Sequence, residues 1–407
     1  MALQERGLLR LRAATIINQE EEREKCQVLR EIGCELFDDY EEMLNRWKGR
    51  LALCVIPTGI HCHARMTIAA LAAGCNVLVE KPIAATIEEV DAIRKSEEKA
   101  SRFVAVGYQH IYAPEIRRMK QALLDGAVGT VEVIKCMGFW PRPDGYYRRN
   151  NWVGRLRVGE DWVLDAPFNN AFGHWLNLLC FFAGSRFEES ASPRSVEAEL
   201  YRARPIETTD TACMRIETEE GIPLFLWLTH SCARHQYHDS GPELEVRGTE
   251  GCLKWTPKAI TYRSKAAVEK SWPVSTLEQM RNAMYDAVLR KAAGDDAFIC
   301  GSDIARKQTL CANAAFESSS ISSIAPDFLL EHEKFDDRYI VIKNIEEFCS
   351  EAFQREKLWS QMSVPWAHAG SKVPIYDGRV DGKPNPKKDA SNQTPAEIGV
   401  LPVCLPR

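Results

Sequence analysis

Long hydrophobic runs are scarce in this sequence of 407 residues. The longest strongly apolar stretch, residues 175–184, is far shorter than the ~18 residues that a membrane-spanning helix needs. Long basic runs are missing too, and 52 lysines and arginines are outnumbered by 57 aspartates and glutamates. Because binding to a phosphate backbone needs clustered positive charge, the sequence predicts neither a membrane nor a nucleic acid as partner.

The cysteines lack any pairing pattern. All 14 are spread between Cys26 and Cys404, with no Cys-x-x-Cys pair and no Cys/His spacing of a zinc site. The run His61-Cys62-His63 has no suitably spaced further ligand, so no metal is predicted. No basic segment followed by an apolar stretch and a cleavage site begins the chain. These absences predict reduced thiols and a cytoplasmic protein.

In the first 110 residues, strand-like and helix-like segments alternate. The predicted strands are residues 11–17, 34–37, 51–56, 77–79 and 103–107, and the predicted helices are residues 20–32 and 63–73, with capping boxes that begin at Asp39 and Thr86. This alternation of strands and helices is typical of a parallel sheet with crossover helices. It predicts a doubly wound α/β domain over residues 1–110.

Beyond residue 110, strand-like runs follow one another with few helices between them. The runs are residues 130–139, 195–203, 211–218, 223–231 and 243–247, and the predicted helices are residues 114–124, 169–182, 277–293 and 303–322. Such a succession favours an antiparallel or mixed sheet, so residues 111–360 are predicted to form an α+β domain. The proline- and glycine-rich residues 361–407 predict a mobile arm or a strap along a partner subunit.

Four stretches, residues 55–63, 74–82, 106–114 and 165–184, resemble the glucose-fructose oxidoreductase / inositol dehydrogenase (Gfo/Idh/MocA) family. The triplet Glu80-Lys81-Pro82 is the most specific of the motifs. The resemblance covers roughly residues 8–360 and implies a Rossmann-like nicotinamide-dinucleotide domain followed by a domain with a large mixed sheet that carries the substrate. It also implies homodimers or homotetramers built on that sheet.

The end of each predicted parallel strand carries candidate cofactor residues. Ligands of open parallel sheets bind beyond the carboxyl ends of the strands, where Pro57-Thr58 and Glu80-Lys81-Pro82 are placed. The position of Lys81 at the end of a strand alone, independent of the family resemblance, places it at the cleft mouth. The resemblance adds three further cofactor-binding candidates, which are His63, Gln109 and, at the end of the second family strand, Asn18.

A second candidate constellation contains Asn170 and His174. Four-residue spacing on the predicted helix would bring both side chains onto one face. In the family, an aspartate occupies the position of Asn170, and the histidine acts as acid/base. Asparagine can orient a hydroxyl but cannot exchange a proton near neutral pH. His174 is therefore the candidate base, with Lys81 polarising the oxygen and Asn170 orienting the substrate.

An aromatic and arginine-rich loop follows the first strand of the second domain. Its members Trp140, Arg142, Tyr146 and Trp152 could stack on sugar faces and hold hydroxyls or carboxylates. We expect a polyol or sugar-acid pocket, although a subunit contact would use the same residue types. A polar cluster is formed by Arg234, His235, Tyr237 and His238. We predict that it is a solvated loop, and the second interpretation is that it forms a wall of the substrate pocket.

The glycine-rich turn of a dinucleotide site is missing. The sequence contains no Gly-x-Gly-x-x-Gly, and residues 1–7 resemble the last turns of the helix that normally follows it. About 20 residues, roughly a strand, a turn and most of a helix, are absent relative to the family pattern. We therefore expect the natural chain to start upstream of Met1 and the parallel sheet to lack its central strand. Because Asn18 replaces an acidic residue, the choice between NAD and NADP stays open.

Three functions are compatible with these residues. The first is an NAD(P)-dependent oxidoreductase that transfers hydride between nicotinamide and a secondary alcohol of a sugar, cyclitol or related polyol. The second is a non-catalytic ligand-sensing or assembly protein of the same fold. The third uses transient oxidation to drive elimination or glycoside hydrolysis. Lys81 and His174 favour the first function.

Overall fold

The computed structural model describes residues 2–233 and 242–380. The first part of the chain alternates strands and helices, which are α1 (Ala2–Glu5), β1 (Ala13–Thr15), α2 (Arg23–Glu31), β2 (Glu35–Phe37), α3 (Tyr40–Arg46), β3 (Leu53–Ile56), α4 (Ile60–Ala72), β4 (Asn76–Val79), α5 (Ile87–Ala100) and β5 (Val104–Val106). Both predicted capping boxes begin helices. The Asp39 side chain accepts a hydrogen bond from the backbone N–H of Glu42, and Thr86 and Glu89 cap α5 reciprocally.

The parallel sheet of this domain is divided in two. β1 pairs with β2, and β3, β4 and β5 form a separate sheet in that order, all with parallel neighbours. Within the described residues, no strand joins β1 to β3. A doubly wound sheet of order 3-2-1-4-5-6 without its first strand has this arrangement. The predicted lack of the central strand is therefore what the described residues show.

The second domain is built on an 11-stranded sheet. Its chain continues as α6 (Pro114–Leu124), β6 (Val131–Phe139), α7 (Asp144–Arg148), β7 (Arg157–Val158), β8 (Asp161–Trp162), α8 (Gly173–Ala183), β9 (Pro193–Arg202), β10 (Thr211–Thr218), β11 (Pro223–Thr229), β12 (Glu243–Gly248), β13 (Gly251–Trp255), β14 (Ile260–Ser264) and β15 (Glu269–Trp272). It ends with α9 (Leu277–Ala292), α10 (Ser302–Ser318), β16 (Ile321–Ser323), β17 (Leu329–Lys334), β18 (Asp337–Ile342), α11 (Ile345–Arg355), β19 (Val373–Tyr376) and β20 (Arg379–Val380).

The large sheet is mixed. Its strand order is β15-β14-β13-β12-β6-β11-β10-β9-β19-β20, and β16 also pairs with β9. The β6–β11 and β9–β16 pairs are parallel, and the other pairs are antiparallel. Side chains alternate between two cores along β11, where Leu226 and Leu228 face one cluster and Trp227 faces the other. The predicted α+β domain with a mixed sheet is confirmed.

Helix α10 returns from the second domain to the first. The backbone N–H of Val106 donates to the carbonyl of Cys300 at 2.8 Å, and Ala105 forms a bridge with Gly301 just before the helix. The Asn313 side chain in α10 bonds the backbone of Ala85 and Ile87. Through these contacts, α10 of the second domain packs directly against the first domain.

The C-terminal segment does not leave the domain where the sequence predicts. β19 pairs with β9 of the same chain, with Val373 opposite Val196 and Pro374 opposite Ser195. The prediction that residues 361–407 form one separate arm is therefore wrong for residues 373–380. The β9 edge offers unpaired backbone groups, which β19 satisfies. Residues 381–407 lie outside the described residues.

Two further findings concern the whole described chain. All 13 cysteines in it are free thiols. No helix within residues 2–233 and 242–380 is long and apolar enough to cross a bilayer.

Candidate active site

The carboxyl ends of β3 and β4 lie side by side at one edge of the first domain. Pro57-Thr58 follows β3, and Glu80-Lys81-Pro82 follows β4. The structure thus brings these two predicted loops together at the edge where ligands of parallel sheets bind.

His63 connects the two loops. Its ring Nδ1 lies 2.7 Å from the carbonyl oxygen of Pro82, and its Nε2 lies 3.1 Å from the carbonyl oxygen of Thr58. The ring is 1% exposed, and burial lowers the pKa of His63 to about 4 against the opposing effect of both carbonyls. The neutral ring donates to only one of these oxygens. His63 therefore positions the strand-end loops.

Lys81 is held by a chain of hydrogen bonds from the second domain. Its ammonium donates to the backbone oxygen of Asn170 at 2.9 Å and to the side-chain Oδ1 of Asn170 at 2.8 Å. The Asn170 amide in turn donates to Asp165 at 2.8 Å, and Asp165 also accepts from the backbone N–H of Gly154 at 2.7 Å. Burial lowers the pKa of Lys81, while Glu80 and Asp165 oppose this shift.

The helix predicted at residues 169–182 begins later than expected, so the predicted shared helical face of Asn170 and His174 is wrong. α8 starts at Gly173, and Asn170 lies in the turns before it. Those turns close through Asn170 N–H to the Ala166 carbonyl and Phe172 N–H to the Pro167 carbonyl. Because Asn170 precedes the helix, its side-chain Oδ1 and Nδ2 both bond to residues outside the helix, which are Lys81 and Asp165.

His174 lies in the first turn of α8 and is 8% exposed. Its ring centroid is 4.6 Å from that of His110 and 5.7 Å from that of Tyr108. Burial, followed by His110, Lys81 and Arg281, holds the pKa of His174 well below its ordinary value. Its buried Nδ1 has no hydrogen-bond partner within the described chain. At neutral pH the ring is therefore uncharged and able to accept a proton.

A cavity of about 530 Å³ joins these groups between the two domains. The predicted site residues that line it are Lys81, Gln109, Trp140, Arg142, Tyr146, Asn170 and His174. The wall combines four large aromatic side chains with aliphatic and polar ones, and the aromatic members are Trp140, Tyr146, Trp175 and Trp255.

Other predicted site residues lie elsewhere. The structure separates Trp152 from the cavity, because its indole packs against Gly59 at the start of α4, where an added Cβ would lie 3.1 Å from the ring. Asn18 is exposed beyond the end of β1, and its side-chain amide donates to Glu21 at 2.9 Å. The cluster of Arg234, His235, Tyr237 and His238 lies outside the described residues.

Three groups around the cavity were not predicted from the sequence. His110 and Arg281 line the cavity, and Asp165 lies next to Asn170 on the side away from Lys81. The acidic Asp165 in an otherwise apolar run was an available signal. The sequence carries no such signal for Arg281, because α9 reaches the cavity through tertiary packing against residues 109–112.

His110 provides a test of burial in this cavity. Its Nδ1 is buried without a partner in the described chain, and burial lowers its pKa to about 4. Between pH 6.5 and 4, the unfolded chain takes up a proton at this residue that the folded chain does not. The free energy of unfolding therefore falls with decreasing pH, and His110→Phe removes this contribution. Between pH 8 and pH 5 we expect the wild type to lose about 2 kcal/mol more than the variant.

The measurement is urea unfolding of both proteins at the two pH values. His63 and His230 titrate in both proteins and cancel in the difference, whereas His174, whose pKa His110 lowers, contributes to the effect of the substitution. An equal loss of stability in the two proteins would contradict the buried, neutral state of His110.

The residues at the strand ends fit the nicotinamide end of a dinucleotide. Lys81, Gln109 and His174 present polar groups in a cavity large enough for a flat ring and a small substrate, and Nδ1 of His174 has no partner in the described chain. The ammonium and amide groups match a ligand rich in hydroxyl and amide oxygens. The sequence contains no glycine-rich turn for the pyrophosphate.

Comparison with known proteins gives two matches to one family. The Gfo/Idh/MocA oxidoreductase family model with NAD-binding Rossmann fold matches residues 3–108, and its C-terminal domain model matches residues 116–254. The inositol 2-dehydrogenase of Klebsiella pneumoniae subsp. pneumoniae is 25% identical over 269 residues, which is 65% of this chain and 72% of that protein. A Comamonas testosteroni 1-carboxy-3-chloro-3,4-dihydroxycyclohexa-1,5-diene dehydrogenase is 35% identical over 134 residues, which is 32% of this chain and 31% of that protein.

Among solved structures, the WlbA dehydrogenase from Bordetella pertussis in complex with NADH and UDP-GlcNAcA shares the fold, with a TM-score of 0.61 and 20% identity. The match covers 75% of this chain and 87% of that chain. The predicted fold class, a Rossmann-like parallel sheet followed by a large mixed sheet, is confirmed, as is the nicotinamide-dinucleotide type of cofactor. The chain belongs to the Gfo/Idh/MocA family of oxidoreductases, whose N-terminal domain is an NAD-binding Rossmann fold.

Proposed function

We propose that this protein oxidises a secondary alcohol of a sugar, cyclitol or related polyol, with NAD as the hydride acceptor. The observation that carries the proposal is the convergence of the Lys81 ammonium and the neutral His174 ring on one cavity at the carboxyl ends of parallel strands. An amine that donates and an imidazole that accepts are the two groups that alcohol oxidation requires.

Lys81 and His174 have different roles in the proposed reaction. A bound nicotinamide supplies the acceptor for the hydride that leaves the carbinol carbon. His174 takes the hydroxyl proton, for which its uncharged state at neutral pH is suited. Lys81 donates a hydrogen bond to the same oxygen and stabilises its negative charge as the O–H bond breaks.

In this proposal, Asn170 positions the ammonium of Lys81. The sequence predicts that Asn170 orients the substrate, but its Oδ1 accepts a hydrogen bond from Lys81 and its Nδ2 donates one to Asp165. These bonds fix the direction of the ammonium, and the Asp165 carboxylate supplies the negative charge that asparagine lacks. Asp165 and Asn170 are thus positioning residues for Lys81.

The relatives support the substrate class. The Klebsiella protein is named an inositol 2-dehydrogenase, and the Comamonas protein is named for a dihydroxylated ring. Both names describe oxidation of a hydroxyl on a six-membered ring, which the aromatic wall of Trp140 and Tyr146 would accommodate.

The choice of NAD over NADP is part of the proposal. The carboxylate of Glu21 lies beyond the end of β1, held by the Asn18 amide at 2.9 Å. A carboxylate at this place accepts from the ribose 2′-hydroxyl and repels a 2′-phosphate. We expect NADH to bind at least about tenfold more tightly than NADPH, and Glu21→Gln to reduce this preference.

Titration of protein fluorescence with each dinucleotide measures the preference. Glu98→Gln, the same charge change on the exposed surface of α5, is the control and leaves the preference unchanged. A Glu21→Gln protein with an unaltered preference would contradict the assignment.

Free cysteines throughout the described chain are compatible with the cytoplasm. A homodimer or homotetramer would not use the middle of the large sheet, because α11 and Trp359 already cover that face around Trp227. Leu330 and Phe335 of the β17–β18 hairpin are among the exposed apolar side chains that such a contact would cover.

The experiment that tests the proposed function follows NADH formation by absorbance. The purified chain is incubated with NAD and a panel of inositols, hexoses, hexuronates and alditols. We expect NADH formation with a subset of the panel that share one hydroxyl configuration. Binding of NADH without turnover of any panel member would contradict the proposal.

A further inference from the structure

Helix α10 carries a buried polar side chain outside the cavity. Gln308 lies near the middle of this helix, and its side chain is 0% exposed. Its amide offers an acceptor oxygen and a nitrogen with two donor hydrogens. Because each of these groups costs free energy when it is buried without a partner, the bonds of the amide show what the position is used for.

Both ends of the Gln308 amide have buried partners. The Oε1 accepts from the hydroxyl of Tyr108 at 2.8 Å. The Nε2 donates to the carbonyl oxygen of Phe168 at 3.1 Å and to Oδ1 of Asn169 at 3.2 Å. A carbonyl can only accept, so the nitrogen has to face Phe168 and the oxygen has to face Tyr108. The network therefore fixes the orientation of the amide.

Asn169 extends this network through residues 164–172, which we call the 164–172 loop. Its Nδ2 donates to the carbonyl oxygen of Leu164 at 3.0 Å, and its backbone N–H donates to that of Ala166 at 3.1 Å. The next residue is Asn170, which accepts two hydrogen bonds from the ammonium of Lys81. The bonds of Asn169 thus continue directly into the contact between the two domains.

The segment that follows Lys81 is bonded to the same helix. Asn313 of α10 donates to the carbonyl oxygen of Ala85 and accepts from the backbone N–H of Ile87, both at 2.9 Å. Both bonds are buried, and Ala85 follows Lys81 by four residues. One helix therefore holds the segment after Lys81 and the loop that contains Asn170.

We propose that Gln308 is a positioning residue, which holds the 164–172 loop so that Asn170 keeps its two bonds to the Lys81 ammonium. This inference rests on the proposed function, in which the ammonium has to point at the substrate oxygen. Gln308 acts through Asn170 and makes no contact with the reacting groups. His174 is held independently, because every residue of α8 is buried.

Hydrogen exchange tests the hold on the loop without any substrate. Gln308→Met keeps most of the side-chain length and removes both bonding ends of the amide. We expect the amides of the 164–172 loop to exchange about tenfold faster in this variant, and those of α8 to keep the wild-type rate. Mass spectrometry of peptic fragments measures both. Thr309→Val is the matched control, because the buried Oγ1 of Thr309 has no partner in the described chain.

A milder variant covers the case in which Gln308→Met does not fold. Tyr108→Phe keeps the ring and removes only the hydroxyl that orients the Gln308 amide. We expect exchange of the 164–172 loop to be about threefold faster in Tyr108→Phe, because the loop then depends on an amide that is held at one end.

Turnover tests whether Gln308 acts through Asn170. In Gln308→Met we expect kcat to fall about 10–100-fold, while the affinity for NADH changes less than about threefold. Thr309→Val keeps the wild-type kcat. In a protein that already carries Asn170→Ala, the further change Gln308→Met is expected to lower kcat less than about threefold, because both substitutions remove the same bond to Lys81.

Three results would overturn the inference. The first is unchanged exchange of the 164–172 loop in every variant that folds. The second is equally faster exchange throughout α8, which would give Gln308 a role in stability alone. The third is a loss of kcat that is as large with Asn170→Ala as without it. Faster exchange confined to the loop, from a wild type that oxidises no polyol, would support the hold on the loop and contradict the proposed function instead.

Discussion

Replacement of Lys81 with methionine is expected to lower kcat for polyol oxidation by about 10²–10³-fold. Methionine keeps most of the side-chain length but removes the ammonium that Asn170 aims into the cavity. The hydrogen bond to the substrate oxygen then disappears while the oxygen still has to become negative. Stopped-flow measurement of NADH formation at saturating substrate gives the rate.

The affinity for NADH separates this effect from loss of the cofactor site. It is expected to change less than tenfold in Lys81→Met, because the ammonium acts on the substrate oxygen. Lys95→Met on the exposed face of α5 is the control and retains the wild-type rate. An unchanged kcat in Lys81→Met would end the assignment of Lys81.

Replacement of His174 with asparagine is expected to lower kcat by about 10²–10⁴-fold at neutral pH, because no group is left to take the hydroxyl proton. The pH dependence of the wild-type rate gives a second test of His174. Burial holds the pKa of His174 well below its ordinary value, so the base stays unprotonated as the pH falls through 6.5. The acid limb of kcat/KM is therefore expected well below pH 6.5.

The pH profile of NADH formation measures both effects. We expect the acid limb to be lost in His174→Asn along with most of the rate. His332→Asn, a change of an exposed histidine on β17, is the control and leaves rate and profile unaltered. A wild-type acid limb near pH 6.5, or one that persists in His174→Asn, would identify another group as the base.

Local patterns predicted most of the first domain correctly. Hydrophobic strands such as β3 and β4 are short and continuous, and capping residues such as Asp39 and Thr86 act within four residues of themselves. The position of Lys81 could be predicted because the carboxyl ends of parallel strands lie at the same edge of the sheet. The strands β14 and β15 were missed, since most side chains of β14 are only partly buried, those of β15 are largely exposed, and neither strand shows a clear alternation.

The candidate site was less accessible to sequence reasoning, because its contacts join distant segments. Asn170 bonds Lys81 across 89 residues of chain, and this bond required the helix to begin later than its apolar pattern suggests. Arg281 reaches the cavity from a helix whose pattern indicates only packing. Tertiary packing decides such positions, and spacing along the sequence does not.

Hydride transfer from the substrate to NAD can be followed by isotope labelling. The chain is incubated with NAD and inositols, hexoses and hexuronates deuterated at their carbinol carbons, and the NADH formed is analysed by mass spectrometry. We expect deuterated NADH from the wild type and almost none from Lys81→Met. Absence of deuterated NADH with every polyol, from a folded wild-type protein that binds NADH, would contradict hydride transfer as the function.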